Sequence, residues 1–202
     1  MKTRMRGADR HASIVRSAIH LFAEKGFRGA TTRELAADLG VTEPVLYQHF
    51  RTKSDLYSAI IEAKALQASD RVSRLRRYTE TNDDRLFFTR VADLILERFE
   101  KEPETTRLLL YSSLERHERS ELFFDRVFAD FYQLVSGYIG RRMQEGAFRE
   151  VNADIAARAL IGAISYPGLV DMLFPMRSGK SGRKRAARET VEIFLRGIAT
   201  AE

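Results

Sequence analysis

Between residues 32 and 53 the chain gathers side chains suited to gripping phosphates and reading base edges: Thr32, Arg33, Thr42, Glu43, Pro44, Val45, Tyr47, Gln48, His49 and Lys53. Hydroxyls, guanidinium and ammonium groups donate to phosphate oxygens, which positions a protein on a duplex without reading sequence. A glutamine pairs with an adenine edge, and an apolar ring or methyl rests on a thymine methyl. Tyr47 and Lys53 therefore suit phosphate contact, and Gln48, Val45 and Pro44 suit base contact. Arg33 can reach a phosphate or a base, and His49 can contact a phosphate or pack against the first helix. Thr32 stands at a helix start, where free N–H groups favour an anion.

Other chemistry finds no support. Ser178-Gly179-Lys180-Ser181 imitates the end of a phosphate-binding loop, but the motif's first glycine falls on Phe174 and no strand precedes it. Histidines 11, 20, 49 and 117 have no ligand spacing and cysteine is absent, so no metal site and no cofactor is expected. Serines, histidines and acids are scattered, and an enzyme is not expected.

The 32–53 side chains need short helices to hold them on one face. Val15, Ala18, Ile19 and Phe22 recur at helical spacing in a first helix over about 9–25, which Gly26 stops. Thr31 and Glu34 form a capping box for a second helix, with Leu35 and Leu39 inward and Gly40 as its stop. Thr42 is placed to cap a third helix, with Leu46 and Phe50 inward. The second and third helices brace each other and leave Glu43, Pro44, Val45, Tyr47 and Gln48 outward, the geometry of a helix-turn-helix entering a major groove. Thr52 and Asp55 then open a long fourth helix to about Tyr78.

Further helices are expected over about 83–101, 103–117, 120–144 and 152–174, the last with Pro167 as a kink. A basic loop over 175–185 precedes a final helix. The fold class is all-α: a three-helix unit over 1–58 and a helical bundle over 59–202, about nine helices together. Of the 202 residues, 44% are hydrophobic and 31% charged, an ordinary globular balance. The net charge is +6, and residues 1–60 hold ten basic against six acidic residues. No run of about 18 apolar residues suggests a membrane span, and basic Met1–Gly7 lacks an apolar stretch behind it, so a cytoplasmic protein is expected.

Taken together, Gly26-Phe27, the run from Thr31 to Thr42, Leu46-Tyr47-Gln48-His49-Phe50 and Thr52-Lys53-Ser54-Asp55-Leu56 resemble the TetR family of bacterial regulators. The resemblance is close over about 9–58 and extends beyond that only in helix number and length. It implies a homodimer that binds double-stranded DNA, represses transcription and releases DNA on binding a small ligand. Pro44 stands where the family commonly has glycine, which removes one N–H donor and adds an apolar ring. By the same resemblance the last two helices form the dimer interface, through Ala159, Ala163, Val191, Phe194, Leu195 and Ile198, although their spacing equally suits an intramolecular core. Phe87, Phe88, Tyr111, Phe123 and Phe124 either fill the core or line a pocket for a small apolar or aromatic molecule.

Overall fold

A computed structural model describes residues 7–115, 120–174 and 179–200. They form ten α-helices: α1 (Gly7–Gly29), α2 (Thr32–Asp38), α3 (Glu43–His49), α4 (Lys53–Arg76), α5 (Asp84–Lys101), α6 (Pro103–Leu114), α7 (Ser120–Val127), α8 (Ala129–Gln144), α9 (Ala153–Leu173) and α10 (Gly179–Ile198). A 3-10 turn over Arg77–Glu80 follows α4, and no strand occurs among the described residues. The chain divides into two compact units, one of residues 1–66 with 104–127, the other of 67–103 with 128–202. Thus α6 and α7, read from sequence as part of the C-terminal bundle, belong to the unit that holds the helix-turn-helix.

In the first unit, the apolar stripe of α1 is buried as its spacing requires: Ile14, Val15, Ala18, Ile19 and Phe22 are 0–8% exposed. Leu35, Leu46, Phe50, Leu56 and Tyr57 are buried in the same unit. Leu39, expected inward, is only partly buried. Gly26 ends the regular part of α1 with φ 74° and ψ 172°, a conformation open essentially to glycine. A Cβ there would also collide with the carboxylate of Glu115, at the end of α6. Three further contacts bind α6 within this unit. The Tyr57 hydroxyl donates to Ser112 Oγ at 2.7 Å in the interior, Glu115 accepts from the Phe27 N–H at 3.0 Å, and His20 Nδ1 lies 2.8 Å from Glu104 Oε1.

In the second unit, α5 packs on α9 and α10, and α9 on α8 and α10. Phe87 and Phe88, adjacent on α5, are both fully buried; Tyr138 stacks on Phe87 at 3.8 Å and meets Phe88 edge-on at 5.6 Å. The Tyr138 hydroxyl donates to Asp84 Oδ1 at 2.7 Å, and Arg142 pairs with the same carboxylate at 2.8 Å, so the polar tip of the ring is satisfied at the core's edge.

Two elements differ from the sequence expectation. The helix expected over 120–144 breaks at Phe128, whose φ −119° interrupts the ladder without glycine or proline. The basic segment read as a loop is helical from Gly179, because Arg183 finds the Asp171 carboxylate at 2.8 Å and so fastens α10 to α9; residues 175–178 lie outside the described residues. Although α9 passes a length-and-composition test for a membrane-spanning helix, Asp154, Arg158 and Asp171 interrupt it, and 28% of its apolar window is buried. One of its faces fills the core through Ala157, Leu160, Ile161 and Ile164. The other, with Ile155, Ala159, Gly162, Ala163, Tyr166 and Leu173, is exposed.

Two predictions follow from the first unit. Gly26→Ala should lose about 1–3 kcal/mol of unfolding free energy through backbone strain, with the collision against Glu115 adding to it; urea denaturation measures this. The His20–Glu104 tie depends on the imidazolium, whose pKa is raised by its hydrogen bond to Glu104 and by the nearby Glu24 and Asp38 charges. Because the folded value lies above the ordinary 6.5, the tie's contribution is full below 6.5 and is lost as pH rises through the folded value. His20→Gln should flatten that part of the stability–pH profile, and an unaltered profile would show that the tie contributes nothing.

Candidate nucleic-acid interface

The local sequence dictates most of the interface. Thr31 and Glu34 form the expected capping box: Glu34 N–H donates to Thr31 Oγ1 at 3.2 Å and Thr31 N–H to Glu34 Oε2 at 3.0 Å. Lys25 donates to Glu34 at 2.6 Å, and this bond, with those from Thr31, holds the Glu34 carboxyl down to about 2. Thr52 and Asp55 make the same reciprocal pair at the start of α4, at 3.1 and 3.0 Å. Gly40, with φ 63°, turns the chain between α2 and α3.

Thr42 departs from expectation. It stands at the N-cap of α3 but makes no side-chain cap bond. Pro44, the second residue of α3, has no N–H to offer that hydroxyl, and the N–H of the third, Val45, donates to the Thr42 backbone carbonyl at 3.0 Å instead.

On the outer face, Thr42, Pro44, Tyr47, Gln48 and Arg33 are exposed, Val45, His49 and Glu43 are partly buried, and Leu46 points inward. Tyr47 is 45% exposed, and its hydroxyl donates to Thr32 Oγ1 at a long 3.3 Å. Thr32 in turn donates to Glu43 Oε2 at 2.8 Å. This chain of hydroxyls ties the start of α2 to the start of α3. It also commits the Thr32 hydroxyl proton to Glu43. His11 rather than His49 supplies the ring that packs on Phe50, at 4.6 Å.

Lys53 is the largest surprise. Its Nζ donates to the carbonyls of Phe27 at 2.6 Å and Ala30 at 2.9 Å, and it lies 4.5 Å from the Phe27 ring centre. Burial pushes its pKa down, against the opposing pull of Glu115. An ammonium has three N–H groups, so one is left for a phosphate. Glu115, which shares this turn, carries no sequence signal: it accepts from the Phe27 and Arg28 N–H groups, 88 and 87 residues away.

The profile of bacterial regulatory proteins of the TetR family matches residues 14–60, and that of the AefR-like transcriptional repressor C-terminal domain matches 88–197. The chain belongs to the TetR family. TetR-family regulators are DNA-binding and generally non-enzymatic, and the helix-turn-helix described above is their DNA-binding element. The nucleoid occlusion factor SlmA of Haemophilus influenzae is 28% identical over 163 residues, covering 76% of this chain and 71% of that protein. SlmA of Vibrio vulnificus is 28% identical over 166 residues, covering 78% and 81%. Among solved structures, a transcriptional regulator from Saccharomonospora viridis in complex with choline superposes with TM-score 0.77 at 19% identity, covering 96% of this chain and all of that one. AibR, solved with isovaleryl coenzyme A and operator DNA, superposes with TM-score 0.73 at 17% identity, covering 91% and 97%.

For this TetR-family chain, Lys53→Ala should cost about 1–3 kcal/mol of stability, because two carbonyls lose their partner. If the third N–H meets a phosphate, the salt dependence of DNA binding should also flatten by about one unit. Urea denaturation with salt-titrated DNA binding checks both. Unchanged stability with weakened DNA binding would mean that the ammonium serves DNA alone.

Proposed function

We propose that this TetR-family protein binds a palindromic operator as a homodimer, represses transcription, and releases DNA when a small molecule occupies its second unit. The outward face of α3 carries this reading: Pro44, Tyr47 and Gln48 are exposed while Leu46 is buried beneath them. In this reading Thr32, Arg33, Thr42, Tyr47, His49 and Lys53 hold the backbone, and Glu43, Pro44, Val45 and Gln48 meet base edges. Ligand response is supported by AibR, solved with both isovaleryl coenzyme A and operator DNA, and by the choline complex. A cytoplasmic location and the absence of catalysis go with this function.

Dimerisation is supported by the apolar outward face of α9 and by Ile193 on α10, which is 72% exposed. Ala159 and Ala163 lie on that face. Val191 and Ile198, expected at the interface, are instead 1% and 4% exposed within their own chain, and Phe194 and Leu195 pack partly against the same core. Helical spacing gave the stripe but not the side it faces.

The five aromatics that sequence left open between core and pocket are divided between the two units. Phe87 and Phe88 are sealed in the core of the second unit, while Tyr111, Phe123 and Phe124 belong to the first.

Selecting bound sequences from random DNA tests the function. A palindromic consensus is expected, with half-sites about one helical turn apart, and bound sites that share no consensus would instead fit a non-specific DNA-coating role. Ile193→Glu combined with Tyr166→Glu should give monomers in sedimentation and weaken binding to the selected site. An unchanged dimer would move the interface away from α9 and α10.

A further inference from the structure

Arg98, in the last turn of α5, is partly buried, and its Nε is fully shielded without a hydrogen-bond partner. No hydrogen bond or ion pair joins its guanidinium to a described residue. Aromatic rings surround it instead: its guanidinium carbon lies 4.6 Å from the centre of the Phe128 ring and 5.4 Å from that of Phe99. The groups acting on it electrostatically are the Tyr132 phenol and a second cation, Arg71, whose own carboxylate partner is Glu102. Burial draws the Arg98 guanidinium down to about 10, so it remains a cation at neutral pH.

Ring faces attract a cation but accept no hydrogen bonds in the plane of its five N–H groups. A buried charge without a partner is costly and is ordinarily paired or coordinated. Here the surroundings are built to hold it unpaired. The break between α7 and α8 falls on Phe128, with neither glycine nor proline to cause it. Phe99 also packs against α9, where a Cβ on Gly168 would lie 2.7 Å from its ring. Glu100 carries a buried Oε1 that also lacks a partner, yet it stands two residues on, on a different side of α5, and is not among the groups acting on Arg98.

We propose that Arg98 is the anion-binding residue of an effector site in the second unit, and that the effector is an apolar molecule bearing a carboxylate. The guanidinium fork takes the carboxylate in paired hydrogen bonds, which supplies the missing countercharge. The hydrocarbon body lies along the Phe99 and Phe128 rings. This rests on the ligand-responsive reading above and adds to it a charge that the apolar pocket expected from sequence does not include.

The test titrates the full chain with octanoate and phenylacetate, against octanamide, octanol and octyltrimethylammonium, by calorimetry and thermal unfolding. The carboxylates should bind at least about tenfold more tightly than the neutral compounds, and the ammonium should not bind. Arg98→Met should abolish the preference for carboxylates and, without ligand, unfold at a higher temperature than the parent, since the unpaired charge is gone. Arg98→Lys keeps the charge without the fork and should bind carboxylates with intermediate affinity; it decides the matter if the Met variant does not fold. Equal binding of octanol and octanoate, no carboxylate binding, or octanoate binding unchanged in Arg98→Met would overturn the site. Operator affinity, measured separately, keeps the two readings apart. Octanoate that binds through Arg98 but leaves DNA bound would sink ligand-controlled release and leave the anion site standing. Release driven by neutral compounds would do the reverse.

Discussion

Two charged side chains satisfy the backbone of the turn that joins α1 to α2, and the DNA-reading face depends on that turn. The chain reverses at Gly26 in a conformation that leaves the next N–H groups without helical partners. Glu115 takes the N–H groups of Phe27 and Arg28, while Lys53 takes the carbonyls of Phe27 and Ala30. Losing either charge would leave partly buried backbone groups without their partners. The orientation of α2, and of α3 braced on it, is therefore set partly by α4 and partly by α6. This explains why α6 and α7 group with the helix-turn-helix despite their distance along the chain. It also gives any displacement of α6 a direct route to the recognition helix.

The outer face is built on the same economy of donors. Tyr47, Thr32 and Glu43 satisfy one another in the absence of DNA, through one short and one long hydrogen bond. The long bond from Tyr47 is the weaker link. Pro44 offers no N–H and that of Val45 is taken by the Thr42 carbonyl, so the Thr42 hydroxyl makes no cap bond on the exposed rim of α3.

In the second unit the same helices carry two kinds of apolar surface. The inner face of α9 and the stripe Val191–Ile198 of α10 close the core around Phe87, Phe88 and Tyr138. The outer face of α9 and Ile193 remain uncovered, an exposure that a soluble chain ordinarily covers with another surface. The polar features of this unit are equally uneven. Asp84 serves Tyr138 and Arg142 together, whereas Arg98 has aromatic rings and no carboxylate.

The sequence by itself determined the elements whose causes are local. Capping boxes at Thr31 and Thr52, stops at Gly26 and Gly40, the buried stripe of α1 and the outward position of Tyr47 and Gln48 all follow from residues within one or two helical turns. They could be read because helical period and capping chemistry act over three or four positions. Only the tertiary structure decided the rest. It turned Lys53 inward onto two carbonyls, brought Glu115 to the α1–α2 turn, broke the helix at Phe128, and put Val191 and Ile198 inside rather than outside. Each of those outcomes depends on partners tens of residues away, and an amphipathic stripe specifies that one face is buried without specifying which surface buries it.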